Sequence, residues 1–289
     1  MADYRLAAKL IFKAVSYLNI KRLKALKTLN ELTVLMVEPS STQAKIITNE
    51  LNEAGIEFIE YVQTGGEAFK HMQSRHFDLT ISAMYLPDMS CLDLVQMIRA
   101  EDDLMDIAYI LISSETHTEM LDPIRQAGIT ALLPKPFEAS QFRKALYNSL
   151  DYLEPDELHL ENVIIEDLNV LIVDDSAFSR KQIRRVLTDM GVENFAEADG
   201  GAAAIALIDK QFFDLIITDY HMPDIDGQAL TDYIRKESSQ KSVPLLMVTS
   251  EENQRILTTV QQSGVSAICN KPFEVAGVKS SIERLLAEY

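Results

Sequence analysis

The sequence predicts an α/β protein of two doubly wound domains in tandem, each on a five-stranded parallel sheet, preceded by an N-terminal helix. Three observations lead there: a duplication across most of the chain, apolar runs alternating with amphipathic stretches inside each copy, and charged residues placed where the apolar runs end.

The duplication is direct. FDLTISAMYLPD, beginning at Phe77, matches FDLIITDYHMPD, beginning at Phe213. VLMVEPS, ending at Ser40, matches VLIVDDS, ending at Ser176, and LLPKPFE, ending at Glu138, matches ICNKPFE, ending at Glu274. At all three landmarks the interval is 136 residues. In the second copy the strands read NVLIVDD from Asn169, ENFAEA from Glu193, DLIITD from Asp214, PLLMVTS from Pro244 and SAICN from Ser266. Helical patterns such as FSRKQIRRVLTDM, QALTDYIRK and VKSSIERLLAEY lie between and after them. Near-continuous apolar strands alternating with helices indicate a parallel sheet covered on both faces. Right-handed crossovers then wind the sheet, and the functional crevice lies beyond the carboxyl ends of its strands. The expected organisation is a basic amphipathic helix over 1–30, a first domain over 31–150, an acidic connector over 151–166 containing Pro155, and a second domain over 167–289.

Composition narrows the class. A chain of 289 residues suits about two domains, and 47% hydrophobic with 25% charged residues gives each an ordinary core. Cys91 and Cys269 are too few for a disulfide framework or a four-ligand zinc site and fit a reducing compartment. A net charge of −17 argues against general nucleic-acid binding. Lys9 and Lys13 interrupt the first apolar run, and no stretch reaches the roughly 18 uncharged apolar residues of a membrane span, so a soluble, cytoplasmic protein is expected. Residues 1–30 depart from the acidic balance, with Arg5, Lys9, Lys13, Lys21, Arg22, Lys24 and Lys27 against Asp3. That helix is expected to pack on the acidic body or to make a homodimer, in preference to lying on a membrane.

The chemistry gathers in the second copy. Asp174 and Asp175 close its first strand and Asp219 its third, and those strand ends are neighbours in a doubly wound sheet. At ~4 Å and an effective dielectric near 20, each like-charged pair costs about 4 kcal/mol. A divalent cation relieves such a cluster, and carboxylate oxygens favour Mg2+ or Mn2+ over zinc. Thr249 ends the fourth strand and Lys271 follows the fifth, bringing a hydroxyl and a fixed positive charge to the same rim. A carboxylate nucleophile, a metal, a lysine and a hydroxyl suit phosphoryl transfer, with Asp219 attacking in line.

At these residues the chain resembles the response-regulator receiver family, over about 167–289. Met222-Pro223 and Asp226-Gly227 follow the acceptor, and Pro272 follows Lys271, as the family pattern has them. The resemblance implies a flavodoxin-like strand order 2-1-3-4-5 and transfer of a phosphoryl group to Asp219 from the phosphohistidine of a histidine kinase or phosphotransfer protein. It implies Mg2+ held by Asp175, Asp219 and the backbone carbonyl of His221, with Asp174 acting through water, and a cis Lys271-Pro272 peptide. It also implies a switch in which Thr249 moves to bond the phosphoryl group and remodels the face of the fourth and fifth helices. Ile268 stands where the family usually has an aromatic residue, which points to a differently wired switch. His221 and Glu251 occupy positions that influence water attack on the phosphoaspartate. Haloacid-dehalogenase-like phosphatases also use an Asp nucleophile, but Asp174-Asp175-Ser176 lacks their Asp-x-Asp.

The first copy keeps the frame and drops the site. Glu38-Pro39 replaces the acid pair, Ala83 the acceptor, and Ser90-Cys91 the Asp226-Gly227 pair, while Ser113, Lys135 and Pro136 survive. No phosphorylation is expected there, so this copy is read as a pseudoreceiver kept for protein contacts; the alternative is an unusual acceptor, for which Ser82 and Asp88 are nearby in sequence. The chain stops at Tyr289 inside its last helical pattern, so no DNA-binding or enzymatic output domain is expected, and output passes to a downstream protein. Self-phosphorylation and self-dephosphorylation at Asp219 are regulatory and do not make the protein an enzyme. Two rival expectations are a scaffold indifferent to phosphorylation and a phosphate sink sharing a kinase.

Overall fold

Strand by strand, the apolar runs become the two expected sheets. The computed structural model describes residues 27–160, 163–251 and 253–287. The helix expected over 1–30 lies outside them except for its last four residues, where Leu29–Glu31 make a 3-10 turn.

The first sheet comprises β1 (Thr33–Val37), β2 (Phe58–Val62), β3 (Leu79–Ala83), β4 (Ala108–Ser113) and β5 (Ala131–Pro134), all parallel, in the order β2-β1-β3-β4-β5. Its helices are α1 (Ser41–Glu53), α2 (Gly65–Ser74), α3 (Cys91–Ala100), α4 (Thr118–Gln126) and α5 (Ala139–Leu153). The second sheet repeats the plan with β6 (Asn169–Val173), β7 (Asn194–Ala198), β8 (Leu215–Asp219), β9 (Leu245–Thr249) and β10 (Ala267–Asn270), again parallel, in the order β7-β6-β8-β9-β10. Its helices are α6 (Ala177–Asp189), α7 (Gly201–Ile208), α8 (Gly227–Lys236), α9 (Gln254–Gln262) and α10 (Val275–Ala287). Both domains therefore have the flavodoxin-like order 2-1-3-4-5.

Short polar side chains start the helices where the strands end. Ser40 accepts from the Gln43 amide at the head of α1, and its repeat partner Ser176 accepts from Ser179 at the head of α6. Asp226 accepts from Ala229 to open α8. Each such cap contributes about 1 kcal/mol. The three central strands of each sheet are buried because helices cover both faces, which is why they read as continuous apolar runs.

Apolar residues divide three ways. Leu35, Val37, Leu94, Ile98 and Tyr109 form a cluster belonging to the first domain alone, and Leu171, Ile216, Leu230, Met247 and Val260 form one belonging to the second. The third cluster runs through both domains, from Val34, Ile110 and Leu146 by way of Tyr152 and Leu158 to Val170, Val186 and Ile282. The connector contributes to it: Tyr152 and Leu158 are buried, and the Leu158 amide donates to the Met190 carbonyl at 3.1 Å.

Charge pairs frame the boundary. Lys144 Nζ lies 3.0 Å from Glu274 Oε1, Lys181 Nζ 2.7 Å from Asp102 Oδ1, and Arg185 Nη1 3.2 Å from Asp106 Oδ1. The first two are exposed, and exposed pairs contribute less than about 1 kcal/mol each. The buried side chains hold the domains together, at roughly 1.5–3 kcal/mol for each large aliphatic or aromatic group fully removed from water.

Candidate functional site

The register of the second sheet sets its carboxyl edge. Val173 pairs with Thr218, so Asp174 and Asp175 emerge from β6 beside Asp219, the last residue of β8. Asp219 pairs with Val248 and Asn270 with Thr249, which brings Thr249 and Lys271 to the same edge. One oxygen from each of Asp174, Asp175 and Asp219 lies within 4.8 Å of the other two. Asp174 and Asp219 are buried, and Asp175 is exposed.

Lys271 holds the buried pair. Its Nζ is 3.0 Å from Asp174 Oδ2 and 3.0 Å from Asp219 Oδ2. The Ser176 amide donates to Asp174 Oδ1 at 2.8 Å, and the Tyr220 amide to Asp219 Oδ1 at 2.7 Å. Burial above all raises the Asp174 pKa, with the Asp219 charge adding to it and Lys271 opposing. Burial disfavours the Lys271 ammonium, but the charges of Asp174 and Asp219 outweigh it, so its pKa rises and it stays protonated.

Three carboxylates against one ammonium leave two negative charges, which one divalent cation would balance. The donors are hard oxygens, the set that Mg2+ takes. The residues present therefore fit the metal.

The remaining expected positions surround this centre. Thr249 is buried, and its Oγ1 accepts from the Glu251 amide at 3.0 Å. His221 Nε2 lies 3.6 Å from Glu251 Oε2, so the two residues expected to influence water attack face each other across the mouth. Ile268 is half-buried and registers with Met247. The Lys271-Pro272 peptide is cis, as is Lys135-Pro136 in the first domain.

Sequence reasoning missed three contributors. Arg180 Nη1 donates to the Asp174 carbonyl at 2.6 Å, bracing the acid loop from α6. Ser250, next to Thr249, and Gln126, from the other domain, complete the surroundings of Lys271: Gln126 Oε1 accepts from Lys271 Nζ at 2.7 Å, and Gln126 Nε2 donates to Ser250 Oγ at 3.2 Å. Position relative to a strand end could have flagged Ser250; no sequence signal marks Gln126.

The corresponding edge of the first sheet is put together differently. Glu38 Oε2 lies 3.6 Å from Lys135 Nζ, a remnant of the ion pairs around Lys271, and Glu38 Oε1 accepts from the Ser40 amide. Ala83 ends β3 where Asp219 ends β8. Ser113 Oγ accepts from the Glu115 amide at 3.0 Å and donates to Met84 Sδ at 3.2 Å. The substitutes are engaged elsewhere: Ser82 donates to the Ala83 carbonyl, and Asp88 accepts from the amides of Gly65 and Gly66.

Two doubly wound domains with such edges define a pair of receivers. The chain matches the family described as the response regulator receiver domain twice, over 34–147 and 170–283, and it belongs to that family as a tandem receiver protein of two-component signalling. It is 32% identical over 126 residues to "Chemotaxis protein CheY-3" of Vibrio cholerae serotype O1, covering 44% of this chain and 97% of that protein. It is 36% identical over 118 residues to "Chemotaxis protein CheY" of Pseudomonas aeruginosa, covering 41% of this chain and 95% of the relative. Among solved structures it is similar to CheY4 of Vibrio cholerae, at 26% identity and a TM-score of 0.38, covering 41% of this chain and 98% of that one. It is also similar to a probable two-component system response regulator/GGDEF domain protein, at 19% identity and a TM-score of 0.41, covering 89% and 98%. Among the described residues, no helix is long and apolar enough to cross a membrane.

Proposed function

We propose that this response regulator accepts one phosphoryl group, on Asp219, from the phosphohistidine of a histidine kinase or phosphotransfer protein, and passes the signal on through protein contacts. One observation carries the reading: Asp219 is buried beside Lys271 with Asp174 and Asp175 converging on it, while β3 ends in Ala83. In the transfer, a carboxylate oxygen of Asp219 bonds to phosphorus as the donor's bond to phosphorus breaks. Lys271, held charged by two carboxylates, offsets charge on the transferring oxygens. The Tyr220 amide orients Asp219, and the hydroxyl of Thr249 serves the phosphoryl group afterwards.

Asp175 and Asp219, with the backbone carbonyl of His221, would hold Mg2+, and Asp174 would reach it through water. Bound there, the ion supplies charge neutralisation for phosphoryl transfer. His221 and Glu251 meet at the mouth, where their pairing governs how water approaches the phosphoaspartate. The first receiver, with no carboxylate at the end of β3, takes no phosphoryl group and serves as a protein-contact domain. Turnover is limited to self-phosphorylation and self-dephosphorylation at Asp219, in the cytoplasm.

The test is the intact mass after incubation with acetyl phosphate, with and without Mg2+, for the wild-type protein and Asp219→Ala. One added phosphoryl group, absent from the variant and absent without metal, is the expected result. No addition to the wild type sinks the reading, and a group that persists in Asp219→Ala returns the first receiver to candidacy.

A further inference from the structure

One ligand of Lys271 comes from the neighbouring domain. α4 ends at Gln126, whose amide crosses the boundary to accept a hydrogen bond from Lys271 Nζ and donate one to Ser250 Oγ. An ammonium has three N–H donors, and Asp174, Asp219 and Gln126 occupy all three. Ser250 adjoins Thr249. A single neutral side chain of the first receiver thus ties the end of β9 to the lysine that follows β10.

Packing fixes its approach. Gly128, two residues beyond Gln126, sits at φ +83, and a Cβ added there would lie 2.1 Å from Phe178 Cε1. The Gly128 carbonyl accepts from Arg99 Nη2 at 2.9 Å. Phe178 stands near the start of α6, three residues after Asp175. The first receiver is therefore seated against both flanks of the site, the acid loop and the lysine.

We infer that Gln126 is a positioning residue for the Asp219 site supplied by the first receiver, clamping Lys271 and Ser250 in the unphosphorylated arrangement, so that phosphorylation and docking of the first receiver oppose each other. The inference rests on the phosphoacceptor reading above. When Asp219 attacks acetyl phosphate, an oxygen–phosphorus bond forms, the bond from phosphorus to the acetyl oxygen breaks and acetate leaves. The new ester brings acceptor oxygens that need donors. Lys271 has none spare, so a bond to a phosphoryl oxygen displaces one it already makes. Esterified Asp219 and Gln126 are both uncharged, and Gln126 is the one that the ester does not tether beside the phosphoryl group. Thr249 must turn towards the phosphoryl group, and Ser250 moves with it. Whatever docking costs the phosphorylated state, the phosphoryl group costs docking equally.

The experiment uses the full chain with sub-saturating acetyl phosphate and Mg2+, reading the phosphorylated fraction by intact mass and amide hydrogen exchange over 118–129 and 177–182. Losing one neutral hydrogen bond is expected to raise the ratio of phosphorylated to unphosphorylated protein about fivefold in Gln126→Ala. Gln126→Glu, which keeps an acceptor for Lys271 and adds charge to it, is expected to fall below the wild type. Gly128→Ala should reproduce Gln126→Ala through the clash with Phe178. Phe178→Ala, which removes the ring that faces Gly128 and Arg99 and leaves every residue of the first receiver unchanged, should also raise the ratio, so lost docking is separated from a damaged first receiver. In the wild type, exchange over 118–129 should rise on phosphorylation. Wild-type phosphorylation with both Gln126 variants unchanged, or both lowered, overturns the clamp. A wild type that takes no phosphoryl group overturns the phosphoacceptor reading as well, and that is read before any variant is made.

Discussion

The guanidinium carbon of Arg99 lies 5.4 Å from the centroid of the Phe178 ring, a buried cation of one receiver against an aromatic face of the other. Among the described residues, no carboxylate lies at hydrogen-bond distance from Arg99. Its Nη1 donates to the carbonyls of Met105 at 2.6 Å and Ile107 at 2.7 Å, and its Nη2 to that of Gly128. The residue therefore organises the loop that carries Gly128 and presents it to Phe178.

The two residues should be energetically coupled. Arg99→Met removes donors from three carbonyls and is expected to destabilise the chain by roughly 3 kcal/mol. Phe178→Ala removes the ring alone. A double-mutant cycle by urea unfolding should return a coupling of about 0.5–2 kcal/mol. A coupling of zero would mean that the ring and the guanidinium pack independently.

Asp175 and Lys271 separate metal binding from stability. Asp175 is exposed and its charge meets water, so Asp175→Asn should leave the metal-free protein as stable as the wild type while weakening Mg2+ binding at least tenfold, measured by calorimetry. Lys271 instead balances two buried carboxylates. Lys271→Met leaves that pair without its cation and should lower stability by about 3–5 kcal/mol in the absence of metal. Added Mg2+ should recover part of that loss. If Asp175→Asn destabilises the metal-free chain as much as Lys271→Met, the division of labour is wrong.

Cys91 makes a prediction for alkaline pH. Burial, with the Asp93 charge adding to it, pushes its thiol up to about 12. In the unfolded chain the thiol titrates near 8.5. Its contribution is thus fully present below about 8.5 and is lost as pH rises towards 12, by up to about 1.4 kcal/mol per pH unit. Urea midpoints at pH 7.5 and pH 10 should fall further for the wild type than for Cys91→Ala. Equal losses in the two proteins would show that the thiolate is accommodated in the fold.

Much of this was legible in the sequence because it was written twice. The 136-residue repeat aligned strand ends with strand ends, so five charged or hydroxyl positions could be placed on one edge without coordinates. The contrast between Gly227 and Cys91 was visible as well, though its cause was not. A Cβ at Gly227 would lie 2.3 Å from the Asp219 carbonyl oxygen, so this loop needs the bare backbone there. The first receiver carries a cysteine at the matching position and an alanine where the acceptor would be. Gln126 was illegible for a different reason. Its repeat partner is Gln262, at the end of α9, so residue type could not distinguish the glutamine that meets Lys271 from its counterpart. The burial of Leu158 was hidden likewise, since an acidic stretch with a proline reads as solvated until a neighbouring helix is seen against it.

The apolar cluster shared by both receivers has a consequence for the chain as a unit of inheritance. A receiver that travels alone between proteins has to present water-compatible walls on every side. Here Tyr152, Leu158 and Phe178 face the companion domain, and a cut anywhere in the connector would leave greasy ground on both pieces. Neither half is a spare part. Substitutions on either wall are therefore answerable to the other domain.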